Sequence, residues 1–186
     1  GAFPIEMTLD HLGPMTRTVA DNALFLEVLA GADGLDPRQT SPRTDRYTKA
    51  LGQGVEGLKI GVVKEGFGHE ESEKDVDDAV RDASKAFKKL GAEVGKVSIP
   101  MHRQGMSVWV PIAVEGTYAQ VMTGNAMGSN WRGLYVTGMM AAHSEWRARA
   151  DMFSEILKLG VLCAEYMSDA YRGRYYAKAQ NLSRKL

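Results

Sequence analysis

Leu58 to Val63 reads LKIGVV, and the fold turns on how that run is read. It is apolar, contains the β-branched residues Ile60, Val62 and Val63, and has the length of a strand rather than of a helix. The pattern then changes period. Val76, Ala79, Val80, Ala83, Phe87 and Leu90 recur at spacings of three and four, which predicts an amphipathic helix capped by Ser72 and ended by Gly91. Its other face carries Asp77, Asp78, Arg81, Asp82, Lys85 and Lys88, acids early and bases late, as the helix dipole favours. Ala92 to Pro100, AEVGKVSIP, predicts a second strand closed by proline. Strand, helix, strand over roughly 40 residues is a βαβ unit, for which a right-handed parallel crossover is strongly preferred. The fold class is α/β.

Outward from this unit the chain changes character on both sides. Ala32 to Asp45 is dense in turn residues and predicts a surface connection. Before it, Thr18 is placed to cap a helix, with Asp21 in the acidic position of a capping box. Val19, Ala23, Leu26 and Ala30 form one stripe, Leu24 and Leu29 widen it, and Gly31 supplies the stop, so a buried helix of about three turns is expected. Beyond Pro100 no further strand is legible. Trp109 to Met122 predicts a helix entered near Pro111, weakened by Gly116, and ended by a glycine-rich loop from Thr123 to Gly133. Ala141 to Leu186 is rich in helix formers and predicts two or three helices, one with the stripe Ile156, Leu159, Leu162, Cys163 and Tyr166. The organisation expected is an α/β section over 1–100 and a mainly helical section over 101–186.

With 23 basic and 23 acidic residues the formal net charge is zero, so no whole-chain field would gather nucleic acid or an anionic membrane. The single cysteine, Cys163, excludes an internal disulfide and reads as a small buried hydrophobe. No apolar run approaches the ~18 residues of a membrane span and the start has no secretory leader pattern, so the reading is cytoplasmic. His11, His69, His102 and His143 are far apart and lack metal-site spacing, and HEE at 69–71 is a solvated stretch. Ser107 lacks the second glycine of a nucleophile elbow. Asp33 and Asp36 supply too few oxygens for calcium and read as a turn. No catalytic residue, metal site or cofactor follows from these residues.

The opening stretch, Thr8 to Asp21, TLDHLGPMTRTVAD, carries more. Gly13 can take a positive φ, Pro14 fixes the next one, Asp10 can accept N–H groups across that turn, and Arg17 lies four residues before Asp21 for an ion pair. Taken alone, these residues describe an Asx-stabilised loop before a helix. As a string they closely resemble the segment that follows the Gly/Ser-rich catalytic region in the amidase signature family. The resemblance continues through Gly31 to Gln39, Gly57 to Gly68 and Val76 to Val80, then at GLY, 133–135, and YAKAQNL, 176–182. The later stretches are most like the broad-specificity amidases found beside nitrile-metabolising enzymes.

That resemblance implies a fold with a mixed sheet flanked by helices and hydrolysis of carboxylic amides to acid and ammonia, without metal or cofactor. The family's group is a nucleophilic serine, a second serine on a cis peptide bond and a lysine, with backbone N–H groups holding the oxyanion. Neutral lysine draws the proton through the bridging serine as the nucleophile attacks. Those residues are expected upstream of Thr8, so the chain reads as a central to C-terminal section of such an enzyme, with no residue of its own assigned as catalytic. Asp10, Gly13, Pro14 and Arg17 are expected to support the active-site loop, and Trp109, Tyr118 and Trp131 to face the acyl group of a small amide substrate. A cut sheet with open edges allows a homo-oligomer. The competing reading is a non-catalytic α/β binding module derived from an amidase ancestor.

Overall fold

The computed structural model describes residues 2–36, 38–39, 41–128 and 134–186. Contacts gather the chain into two units, Arg46–Gly105 and the pair Gly1–Asp45 with Met106–Lys185. The division by chain order, 1–100 and 101–186, is therefore not the grouping by contact: the opening segment joins the helices that follow residue 105.

In the first unit, β1 (Lys59–Val63) and β2 (Glu93–Val97) pair in parallel, with Ile60 opposite Val94, Gly61 opposite Gly95 and Val63 opposite Val97. A Cβ on Gly61 would lie 3.1 Å from the Val97 side chain, so this strand position has little room for a larger residue. The crossover helix α2 spans Lys74–Lys89. It starts later than Ser72, whose backbone N–H donates to the His69 carbonyl at 3.0 Å and is engaged in the preceding turn. Glu73 takes the cap position instead. Gly91 ends the helix at φ +97°, as expected: its N–H bonds to the Lys88 carbonyl and that of Ala92 to the Phe87 carbonyl, the paired bonds of a Schellman stop. The polar face pairs along the helix through Arg81 with Asp77 and Asp78, Lys85 with Asp82, and Lys74 with Asp78. Glu65 accepts from the Ser98 hydroxyl and the Ile99 N–H, which ties the turn after β1 to the exit of β2 and holds its carboxyl below the ordinary value.

In the second unit, α1 (Val19–Leu29) is capped as expected, the Asp21 N–H donating to Thr18 Oγ1 at 3.0 Å. It is not a buried helix. Ala23 is its buried residue, while Val19, Leu24, Phe25, Val28 and Leu29 are exposed, because its apolar residues run round the whole cylinder and the described residues cover one side. Helix α3 spans Gly105–Thr117 and encloses Pro111 instead of starting there. Gly116 is no weak point: a Cβ there would lie 2.3 Å from Glu6 Cγ, so the missing side chain is the space Glu6 occupies. A π-turn, Tyr118–Thr123, continues the helix. Then come α4 (Thr137–Ser144), a 3₁₀ stretch over Glu145–Met152, α5 (Glu155–Tyr171) and α6 (Arg174–Ser183). Val108 and Ile112 of α3 and Ala179 of α6 make the centre, with Leu9, Tyr176 and Leu182 packed around them.

Helix α5 reverses the face expected of it. Ile156, Leu159, Leu162, Cys163 and Tyr166 are exposed and Ala164 is fully buried. Ala164 is the buried position of this helix, and the large apolar side chains of the stripe are left outside. Cys163 is accordingly a surface thiol, not a core hydrophobe.

Candidate functional site

The opening segment is built on a tight turn. The N–H groups of Leu9 and Asp10 both reach the Glu6 carbonyl at 2.9 Å, and the Asp10 carboxylate accepts from the backbone N–H of Ile5 at 2.9 Å and of Glu6 at 3.2 Å. Asp10 thus closes the turn before it, not the one at Gly13 and Pro14. Gly13 has no positive φ, and the Pro14 carbonyl is held by Asn22 Nδ2 at 3.0 Å. Arg17 precedes the cap of α1, so the helical spacing to Asp21 does not apply. The two make no ion pair among the described residues.

The residue that fastens this turn is one the sequence reading passed over. Arg38 bonds Asp36 through Nε at 3.1 Å and Nη2 at 3.2 Å, and its Nη1 donates to the carbonyls of Met7 at 2.9 Å and Asp10 at 2.5 Å. The hydrogen bond to Arg38 holds the Asp36 carboxyl below its ordinary value, and the same bond raises Arg38. Asp33 shapes the approach, as expected of a turn, accepting from the N–H of Leu35 at 2.8 Å and of Asp36 at 3.3 Å. Between the opening turn, the end of α1 and this loop lies a cleft of about 720 Å³. Asp10, Gly13 and Pro14 line it together with Leu12, Leu26 and Leu29.

On the other side of the opening segment sits a buried carboxylate. Glu6, 1% exposed, accepts from the Thr8 N–H at 2.7 Å, the Thr8 hydroxyl at 2.5 Å, Gln120 Nε2 at 3.0 Å and the Tyr176 hydroxyl at 2.8 Å. Gln120 also accepts from the Met7 N–H at 3.1 Å, and Gln180 donates to Thr8 Oγ1 and to the Tyr176 oxygen. Tyr176 and Gln180 stand four apart on α6, the spacing that puts two side chains on one face. That spacing was the available signal. Beside this network Glu115 is 4% exposed and its Oε1 has no partner, and burial pushes its carboxyl above the ordinary value.

Of the residues expected at the acyl side, Trp109 on α3 is 48% exposed and Tyr118 is half-buried at the first position of the π-turn. Trp131 lies outside the described residues. Among the described residues no cluster of three or more His, Cys, Asp or Glu is placed to hold a metal ion, and no helix is long and apolar enough to cross a membrane. What the arrangement does chemically is to fix the backbone of residues 5–10 from three directions, through Asp10, Arg38 and Glu6.

Comparison with known proteins gives this frame a relationship. A family model described as Amidase matches residues 1–186. The chain is similar to an enantioselective amidase of Rhodococcus rhodochrous, 42% identical over 187 residues that cover 99% of this chain and 36% of that protein. It is also similar to a component of the glutamyl-tRNA(Gln) amidotransferase of Ligilactobacillus salivarius, 32% identical over 91% of this chain and 34% of that protein. Among solved structures, the corresponding glutamyl-tRNA(Gln) amidotransferase component of Thermotoga maritima superposes with a TM-score of 0.66 at 26% identity, over 97% of this chain and 34% of its own. A bacterial aryl acylamidase does so with a TM-score of 0.60 at 28% identity, over 89% of this chain and 30% of its own. The chain thus spans about a third of the length of the relatives it matches.

Proposed function

This chain belongs to the amidase signature family, and on that premise we propose that the protein containing it hydrolyses small carboxylic amides to the acid and ammonia. The match over residues 1–186 carries the proposal. The 42% identity to an amidase, against 32% to an amidotransferase component, favours a free small amide as substrate. In this reading the serine nucleophile, the bridging serine and the lysine belong to other parts of the protein, and the present section is their support. Asp10, Gly13 and Pro14 hold the loop beside the active-site strand, with Arg38 added to them and Arg17 beside the cap of α1. Trp109 and Tyr118 are assigned to the acyl side. The chemistry needs such a support, because attack and proton transfer tolerate little displacement of the reacting groups. The protein works in the cytoplasm in this reading, and a homo-oligomer fits the apolar faces left exposed.

The test is ammonia release by the full-length protein from a panel of aliphatic and aromatic amides, with the acid quantified in parallel. One acid per ammonia is the expected result, unaffected by a chelator. No ammonia from any amide would leave the binding-module reading in its place.

A further inference from the structure

The π-turn Tyr118–Thr123 carries an unusual concentration of strain and of side chains that hold it in place. Directly after it, Gly124 admits no side chain, since a Cβ would lie 2.6 Å from the Ala119 carbonyl oxygen. Asn125 and Ala126 then both take the left-handed conformation, at φ 49° and 59°. Asparagine tolerates this, but alanine is strained by it, and Ala126 is buried at 1% exposure. Strain of this kind persists only where the surroundings over-determine it, and π-turns recur at functional positions.

The surroundings here are specific. Three side chains from the following segment converge on two carbonyls of the π-turn, Val121 O, which also accepts from the Ala126 N–H at 3.1 Å, and Met122 O. His143 Nε2, which must carry the proton since a carbonyl can only accept, donates to Val121 O at 2.9 Å. Trp146 Nε1 donates to Met122 O at 3.1 Å, and Arg147 Nη2 reaches the same oxygen at 3.4 Å. Arg147 Nη1 also bonds Asn125 Oδ1 at 2.9 Å. These donors are themselves braced, His143 edge-on to Phe3, Trp146 stacked on Phe153, and the Arg147 guanidinium 4.7 Å over the Trp146 ring. At its other end the π-turn is fastened to the opening segment, because Gln120 bonds both the Glu6 carboxylate and the Met7 N–H. One turn therefore carries Tyr118, contacts the buried network under residues 5–10, and dictates the direction of 124–128.

We propose that His143, Trp146 and Arg147 are positioning residues that fix this π-turn and thereby set which acyl groups the enzyme accepts. The proposal rests on the hydrolase reading above. None of the three touches the reacting atoms in it; they act by fixing the turn that carries Tyr118, the residue this reading assigns to the acyl side. Loosening them changes the fit of the acyl group more than the chemistry of the carbonyl.

The experiment uses the full-length protein and the variants His143→Phe, Trp146→Phe and Ala126→Gly. The first two remove a donor while keeping an aromatic ring, and the third relieves the left-handed strain without removing any hydrogen bond. For each, kcat and KM are measured with propionamide and with benzamide, beside a thermal midpoint. The expected result is a change of about tenfold in the ratio of the two kcat/KM values, the scale on which pocket fit discriminates between similar substrates, carried mainly by KM and with the thermal midpoint of Ala126→Gly retained. An unchanged ratio in all three variants overturns the proposal, as does an equal loss on both amides accompanying a lowered midpoint, which is what a purely structural role gives. A parent protein that releases ammonia from neither these nor any other amide overturns the hydrolase reading, and this one with it.

Discussion

Glu6 and Glu115 are both buried, and they are buried on different terms. Glu6 has four donors on its two oxygens, so its desolvation is offset bond by bond. Glu115 leaves Oε1 without a partner, and burial raises its carboxyl from the ordinary value of 4.5. A raised folded-state value means that the protonated form is the better fit. The stabilising contribution is complete below the unfolded value and is lost as pH rises through the folded one. Glu115→Gln, which is neutral at every pH, should therefore gain on the parent in stability as pH increases from about 4 to 8, measured by urea midpoints across that range. A difference between the two that stays constant with pH would contradict this. Nothing in the sequence separated these two glutamates from the other acids. What distinguishes them is the close approach of residue 6 to Gly116, a contact between positions more than a hundred residues apart.

At the scale of elements, legibility followed how local the signal was. Both strands, α2 and its stop at Gly91 depend on period and turn chemistry within a few residues, and they form where the sequence places them, with α2 capped one residue late at Glu73 and β2 ending at Val97, before Pro100. The stop is also the element most exposed to a single change. Gly91 needs its positive φ, and a Cβ would meet Glu56 at 3.2 Å. Gly91→Ala should cost about 1–2 kcal/mol, seen as a lowered urea midpoint of the full-length protein; an unchanged midpoint would mean that the turn relaxes freely. Where a reading depended on what lies against a helix, it failed. The apolar stripe of α5 was visible, but Ala164 makes the contact and the stripe faces out. Likewise α1 reads as a buried helix because it is apolar all round, yet only Ala23 on it is buried. Pro111 looked like an entry to α3 and sits inside it, where its missing N–H removes one helical hydrogen bond. The site showed the same division: Asp10, Gly13 and Pro14 were legible as a motif, while Arg38, Gln120 and Tyr176 became visible only through contacts distant in sequence.

At the scale of the whole molecule, the chain spans about a third of the length of its relatives, and large apolar side chains stand exposed on α1, α2 and α5. We propose that the opening segment, held by Asp10, Arg38 and Glu6, is the fixed support of an amide-hydrolysing site. The measurement that tests it most directly is kcat/KM for amide hydrolysis by full-length Asp10→Ala beside the full-length parent, with circular dichroism to establish that both are folded. Asp10 touches no substrate in this account, yet its loss frees the turn at residues 5–10. A fall of about a hundredfold is expected, the scale of loss when a remote change misplaces reacting groups by about an ångström. A folded variant as active as its parent would contradict it.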